Sequence, residues 1–226
     1  MMTVKEVKIL NRNNHFVVVI KPSGVLSQPS RGGREDMISI LSDRLGTVIY
    51  PIHRLDKDTE GIMVYATSAE GAKRLSAMTE SGALEKVYHA VCQGEIPQHG
   101  KMVDLLVHDA KSNLTKVVKE GFQQGQTAIL SFEKVSVARY GENTVSLARV
   151  RLETGRTHQI RAQFSFRGFP LVGDSKYGSE IRGNMALYAT ELSFINPFDG
   201  KKEVYKTFLP DKIPWNLFQE STVCGE

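Results

Sequence analysis

The distribution of apolar positions along the chain predicts more strands than helices. Unbroken or alternating apolar runs, which are typical of strands, occur at residues 16–20 (FVVVI), 61–67, 86–96, 144–153, 186–197 and 203–210. Residues 97–143 indicate further strands, with turns at 109–113 (DAKSN) and 120–126 (EGFQQGQ). A Pro-Ser-Gly turn and a glycine-rich loop follow the first run, up to residue 33.

Helical spacing is confined to three short segments, at residues 35–45, about 69–80 and 157–166. Ser68 is placed to cap the second helix and Gly82 to end it. The third is expected to begin at Thr157. Because strands dominate and no regular β-α-β alternation occurs, we predict an α+β fold around a largely antiparallel sheet.

The third helix carries cations close to its apolar side. Ile160 and Phe164, four residues apart, mark the buried face, and Arg161 lies at its edge. An inward guanidinium there needs a carboxylate partner. The alternative is a surface helix on which Arg156, His158 and Arg161 are all solvated.

Composition adds only broad limits. The 226 residues fit one large domain or two small lobes, with 41% hydrophobic and 24% charged residues. The net charge of +4 permits a polyanionic partner without requiring one. No apolar run approaches the roughly 18 residues of a membrane span, and the first ten residues do not read as a signal peptide. Cys92 and Cys224 are in no metal or redox spacing, so we expect reduced thiols in a cytoplasmic protein.

The segment 51–68 (PIHRLDKDTEGIMVYATS) concentrates titratable side chains between two apolar runs. Asp56 stands within it, between Arg54 and a Thr-Glu-Gly turn.

Four segments together identify the chain as similar to a known family. HRLDKDTEG (53–61) resembles the His-Arg-Leu-Asp signature of RluA-type pseudouridine synthases, which isomerise uridine in ribosomal and transfer RNA. VVVIKPSGVLSQP (17–29), EKVYHAVCQGEI (85–96) and TGRTHQIRAQFSFRGFPLVGDSKYG (154–178) resemble other family motifs in the expected order. The resemblance extends over about residues 16 to 197.

The resemblance implies the pseudouridine-synthase fold, a bent, mainly antiparallel mixed sheet with flanking helices and a central basic cleft. It implies one catalytic domain, residues 1–226, of two subdomains without an N-terminal S4-like domain. The expected partner is structured RNA (rRNA or tRNA), bound by a monomer that lies in no membrane. The reaction needs no cofactor and no metal.

The resemblance also assigns the catalytic role to Asp56. Its carboxylate would attack C1′ of the uridine or remove the proton at C2′. Burial alone would raise the pKa of such a carboxyl, and a guanidinium opposes that effect. The resemblance assigns the guanidinium to Arg161, and we expect the two side chains to form a partly buried ion pair.

Two further substrate-binding residues follow from the same resemblance. Tyr88 would place its ring against the uracil and assist proton transfer from C5; otherwise it is a packing aromatic of its strand. Arg54 would fill the gap left when the nucleotide is flipped out of the RNA helix. The alternative for Arg54 is a structural ion pair with Asp58 or Glu60.

Three other polar residues in the motifs are expected to have supporting roles. Lys21 would contact a phosphate or support the turn after its strand. His53 and His158 are expected to make structural hydrogen bonds, because no metal-ligand spacing links them.

Three other classes of protein fit the sequence less well. A glycoside hydrolase would use Asp56 with Asp58 or Glu60 as its two carboxylates, but a paired arginine is not expected there. A non-catalytic RNA-binding protein with the same fold would be expected to lack Asp56 or Tyr88, and both are present. A Ser/His hydrolase has little support because no Gly-x-Ser-x-Gly turn occurs.

Overall fold

The structure, a computed structural model, describes residues 7–30, 33, 35–119, 121–122 and 124–221. The strands are β1 (Lys8–Arg12), β2 (Phe16–Lys21), β3 (Tyr50–Pro51), β4 (Glu60–Ala66), β5 (Glu85–Gln93), β6 (His99–Asp109), β7 (Leu114–Val118), β8 (Gln126–Tyr140), β9 (Asn143–Leu152), β10 (Leu187–Ile195) and β11 (Lys202–Lys206). The helices are α1 (Met37–Leu45), α2 (Ala69–Glu80) and α3 (Gln159–Phe166), with 3₁₀ helices at Ser175–Tyr177 and Trp215–Ser221. The predicted α+β class is confirmed.

The chain divides into two compact units. The first comprises Met1–Lys86 and Ala189–Thr207, and the second comprises Val87–Tyr188 and Phe208–Glu226. In the first unit the strand order is β1-β2-β4-β10, with β3 added to β4 and β11 to β10. In the second unit the order is β5-β9-β8-β6-β7. Each strand pair whose register is described is antiparallel.

The core of the first unit forms around β2 and β4. Val17, Val18 and Val19 of β2 are completely buried, which is why the strand is an unbroken apolar run rather than an alternating one. On one side, α2 packs its Leu75 into a cluster of apolar side chains from β2, β4 and β10. The members of this cluster are Phe16, Val18, Ile52, Ile62, Val64, Ala66, Leu75, Leu84, Leu192 and Phe194.

Capping residues mark the ends of both helices of the first unit. Asp36 accepts hydrogen bonds from the backbone N–H groups of Ile38 and Ser39, and Gly46 ends α1 in the left-handed conformation. Ser68 accepts from the N–H of Gly71 and so caps α2, as predicted. Gly82 follows the helix with a φ of 77°.

In the second unit, α3 packs against one face of the sheet. Phe164 of α3 meets Phe132 of β8 edge to face, with their ring centroids 5.3 Å apart. Ala162 joins a second apolar cluster with Leu106 of β6 and Ala128 of β8. The helix is therefore buried on most of its surface rather than along one stripe.

Several boundaries differ from those predicted. β1, β3 and the two 3₁₀ helices were not predicted, because they are short and lack a clear apolar period. The third helix begins at Gln159 instead of Thr157, since His158 adopts a left-handed φ of 53°. β5 ends at Gln93, before Gly94 with its φ of 86°. The predicted glycine-rich loop and the turn at 120–126 are only partly described: Arg31, Gly32, Glu120 and Gln123 lie outside the described residues.

Candidate active site

The loop that carries Asp56 joins β3 to β4 and is fastened to the segment after β2. The Ser27 hydroxyl donates to the carbonyl of Leu55 at 2.7 Å and accepts from its N–H at 3.1 Å. Ser27 and Leu55 are both buried. The residue next to Asp56 is therefore held through both of its backbone polar groups.

The side chain of Lys21 also holds this loop in place. Its side chain is completely buried, and the ammonium donates to the carbonyls of Pro22, Val25 and Lys57 at 2.8–2.9 Å. Three carbonyl dipoles stabilise a charge that has been removed from water. Of the two roles predicted for Lys21, support of the turn is the one observed, because a completely buried ammonium cannot reach a phosphate.

His53 is a structural hydrogen-bonder, as predicted. Its Nε2 accepts from the backbone N–H of Val64 at 3.2 Å. Burial, with the positive charge of Lys86 as a smaller contribution, lowers the pKa of His53 to about 3. The ring is therefore neutral at physiological pH and serves to hold the loop against β4.

Asp56 and Arg54 are more accessible than His53 and Leu55. Asp56 is half-buried, and its carbonyl accepts from the N–H of Thr59 at 3.1 Å, which closes a turn. Arg54 is exposed. Insertion of Arg54 into the RNA and an ion pair of Arg54 with Asp58 or Glu60 both stay predictions.

The motif ends in a glycine that no other residue can replace without a backbone shift. Gly61 has a φ of 122°, and a Cβ at this position would overlap the backbone of Ala189 in β10. The Thr-Glu-Gly turn therefore brings β4 directly against β10.

In the second unit, Tyr88 lies on the sheet face that packs against α3. It pairs with Val150 of β9, which in turn pairs with Phe132 of β8, the residue in contact with Phe164. Directly paired residues point to the same side of a sheet. Tyr88 is buried at 5% exposure.

Arg161 of α3 points inward, as predicted, and is 8% exposed. Its Nε donates to Oδ2 of Asp174 at 2.7 Å and its Nη2 donates to Oδ1 at 2.9 Å. Asp174 is itself 3% exposed. The surface-helix alternative is therefore wrong for Arg161, and for the equally buried His158, while Arg156 is exposed as that alternative expected.

The partner of this two-pronged contact was not identified from the sequence. Asp174 lies in the loop 168–178, where the glycines were noticed and the aspartate was not. Gly173, with a φ of 78°, approaches the backbone of Asn184 so closely that a Cβ would overlap it. The signal for Asp174 in the sequence was its position directly after Gly173, in a loop whose glycines indicate a constrained backbone. An ion pair of Arg161 with Asp56 stays a prediction.

The described residues show neither a metal centre nor a membrane span. In that part of the chain no three His, Cys, Asp or Glu side chains are grouped so that they could bind a metal ion. None of the described helices has the length and apolar character needed to cross a bilayer. Cys92 is a buried thiol whose pKa is raised by burial, and Cys224 lies outside the described residues.

Comparison with known proteins gives a consistent result. The family model described as RNA pseudouridylate synthase matches residues 15–166. The tRNA pseudouridine synthase C of Vibrio parahaemolyticus is 29% identical over 233 residues, which are 93% of each chain. The ribosomal large subunit pseudouridine synthase D of Pseudomonas aeruginosa is 29% identical over 244 residues, which cover 94% of this chain and 71% of the relative.

Solved structures show the same fold. Human RNA Pseudouridylate Synthase Domain Containing 1 superposes with a TM-score of 0.78 at 23% identity, covering 92% of this chain and 85% of the human one. Human RNA Pseudouridylate Synthase Domain Containing 4 gives a TM-score of 0.72 at 21% identity, with 90% and 89% covered. Together with the match of the family model to most of the sequence, these findings show that the chain belongs to the RNA pseudouridylate synthase family, a family of isomerases.

Proposed function

We propose that this chain converts uridine to pseudouridine in tRNA or rRNA and that the carboxylate of Asp56 is the catalytic group. The observation that carries the proposal is the coincidence of the family match with a loop whose backbone is fastened at Leu55 and at Asp56 itself. The relatives reported above are named for tRNA and for the large ribosomal subunit, and this supports the RNA class.

The reaction is an isomerisation, so the protein has only to direct the breaking and forming of bonds and the transfer of protons. The N1–C1′ bond breaks, the uracil turns, C5 bonds to C1′, and the proton leaves C5 while N1 gains one. In one route the Asp56 carboxylate attacks C1′ and is later displaced. In the other it removes the proton from C2′ and returns it. Both routes require an ionised carboxylate beside the sugar.

We assign contacts with the substrate to three further residues. Arg54 is exposed beside Asp56 and suits insertion into an RNA helix. Tyr88 offers an aromatic ring to the base. Arg161 offers a fixed guanidinium, which suits the uracil carbonyls or a carboxylate. A net charge of +4 favours binding to the phosphate backbone.

Asp56→Asn tests the catalytic assignment, with Asp58→Asn as the matched control from the same loop. Total RNA labelled with [5-³H]uridine in cells that lack the protein releases tritium when C5 bonds to C1′. We expect Asp56→Asn to slow single-turnover release by about 10²- to 10⁴-fold, as for loss of a catalytic proton-transfer group. Its affinity for RNA should change little, because phosphate contacts dominate binding.

The outcomes separate the proposal from its alternatives. Release by Asp56→Asn at the wild-type rate would contradict the role of Asp56. Free uracil among the products would indicate glycoside hydrolysis. A wild-type protein that binds the labelled RNA and releases no tritium would be the non-catalytic RNA-binding protein.

A further inference from the structure

Arg161 is held by an aromatic ring as well as by its ion pair with Asp174. The centre of the guanidinium lies 4.7 Å from the centroid of the Tyr177 ring. Cations interact favourably with an aromatic face at this distance. Asp174 therefore fixes the guanidinium at its edge, through Nε and Nη2, and the guanidinium carbon lies over the ring of Tyr177.

The Tyr177 ring is itself held at both ends. Its hydroxyl accepts from the backbone N–H of Thr115 at 2.8 Å and lies 2.9 Å from Nδ1 of His158. The hydroxyl can accept and donate at the same time, so it can satisfy both neighbours. At the other end, the Ser165 hydroxyl donates to the Tyr177 carbonyl at 2.6 Å. The ring cannot turn or slide without breaking these bonds.

The turn that carries Asp174 and Tyr177 is equally constrained. The N–H of Asp174 donates to the carbonyl of Leu171 at 3.0 Å, and the N–H of Tyr177 donates to the carbonyl of Asp174 at 3.0 Å. Gly173 before it packs directly on the backbone of Asn184. Asp174 and Tyr177 thus come from one constrained segment.

We propose that Asp174 and Tyr177 are positioning residues for the isomerisation, acting through Arg161 by fixing the plane and direction of its guanidinium. The inference rests on the proposed function, in which Arg161 contacts the substrate. Buried salt bridges and packed rings are common as purely structural features. What distinguishes this arrangement is that two residues of one turn hold a single guanidinium, Asp174 through two hydrogen bonds and Tyr177 through its ring.

A second Arg–Asp pair at the end of the same helix offers a control. Arg167, which directly follows α3, binds Asp104 of β6 through Nη1 at 2.9 Å and Nη2 at 3.1 Å, a two-pronged contact that is more exposed than that of Arg161. Asp104→Asn therefore removes an Arg–Asp pair that holds the end of α3 without touching Arg161. A loss of activity caused merely by loosening the helix should appear in Asp104→Asn as well.

The experiment is a double-mutant cycle in single-turnover tritium release from [5-³H]uridine-labelled RNA. We expect Asp174→Asn to slow release about 100-fold, as expected when a catalytic contact is displaced by about 1 Å. Tyr177→Phe keeps the ring and loses the hydrogen bonds of the hydroxyl to Thr115 and His158, and it should slow release about fivefold. Arg161→Lys cannot make the two-pronged contact and should be strongly impaired.

The control Asp104→Asn should remain within about twofold of wild type, as expected for a site with no shared partner.

The decisive measurement is the coupling between the substitutions, that is, whether their effects on the release rate multiply. If Asp174 and Tyr177 act through Arg161, adding either substitution to Arg161→Lys should slow release by less than about twofold, whereas independent effects would multiply. Multiplying effects would overturn the inference, as would a wild-type rate in Asp174→Asn. If Asp174→Asn does not fold, Tyr177→Phe decides by the same two criteria. Wild-type rates in both Arg161→Lys and Asp56→Asn would instead contradict the proposed function itself.

Discussion

At the scale of single residues, four consecutive side chains of the loop between β3 and β4 have different environments. His53 and Leu55 are buried, Arg54 is exposed and Asp56 is half-buried. The buried pair anchors the loop, and this leaves the intervening arginine directed away from the core. The accessible residue is a cation and the partly accessible one is a carboxylate. This arrangement suits a loop in which Arg54 contacts a polyanion and Asp56 reacts with a group of the same molecule.

Arg54→Ala tests whether the arginine replaces a flipped nucleotide. Unstacking a nucleotide costs a few kcal/mol in a helix and less in a flexible strand. Arg54→Ala should therefore reduce tritium release at least about tenfold more from a stem-loop than from a short unstructured oligonucleotide that contains the same uridine. Lys57→Ala, at an exposed cation of the same loop, is the control for a general loss of charge. Equal losses on both RNAs would indicate a purely electrostatic role for Arg54.

At the scale of elements, the candidate catalytic loop depends on a residue outside it. Ser27 satisfies both backbone groups of Leu55 through one hydroxyl, and the Tyr65 hydroxyl donates to the Ser27 carbonyl at 2.9 Å. β4 thus holds the segment after β2, and that segment holds the loop. The element that positions Asp56 is therefore the junction after β2 as much as β4.

Ser27→Ala should destabilise the fold and loosen this loop. It leaves a buried N–H and a buried carbonyl without partners, which costs about 1–3 kcal/mol for each unsatisfied group. Ser23 provides the control, because its hydroxyl donates to the carbonyl of Asp58 at an exposed position. Ser23→Ala should stay within about 0.5 kcal/mol of wild type. Urea denaturation measures both free energies of unfolding, and equal values for the two variants would contradict this account of the junction.

At the scale of the whole molecule, the imidazoles of buried His53 and half-buried His89 make stability depend on pH. Burial lowers the pKa of His53 to about 3 and that of His89 to about 4, with smaller contributions from Lys86 and Arg149. Their ordinary value is 6.5, so below that pH the unfolded chain takes up protons that the folded chain does not. The contribution of both residues is therefore fully present above pH 6.5 and is lost as the pH falls toward 4 and then 3.

The free energy of unfolding should accordingly fall between pH 6.5 and 4.5, by up to about 1.4 kcal/mol per pH unit for each histidine. His53→Gln retains an acceptor for the Val64 N–H and does not titrate, so its slope should be shallower than that of wild type. Urea denaturation at pH 7.0, 6.0 and 5.0 measures the slopes. An identical slope in His53→Gln would show that His53 can take up a proton in the folded state.

The sequence by itself determined the features that depend on local chemistry. The unbroken run at 16–20 specified a strand, and Ser68 and Gly82 specified the start and the end of α2. These features could be predicted because capping and burial periodicity act within a few residues. The motif around Asp56 also identified the family, which the match over residues 15–166 confirmed.

Only the tertiary structure decided which groups satisfy one another across the chain. Ser27 with Leu55, Lys21 with Lys57 and Arg161 with Asp174 are partners separated by 28, 36 and 13 residues. No periodicity encodes such pairs, since each forms only where packing removes a polar group from water and a partner happens to be within reach. The inward direction of Arg161 followed from helix phase, but its partner Asp174 did not. The physical reason is that a buried charge requires some carboxylate, and only the path of the loop 168–178 determines which one.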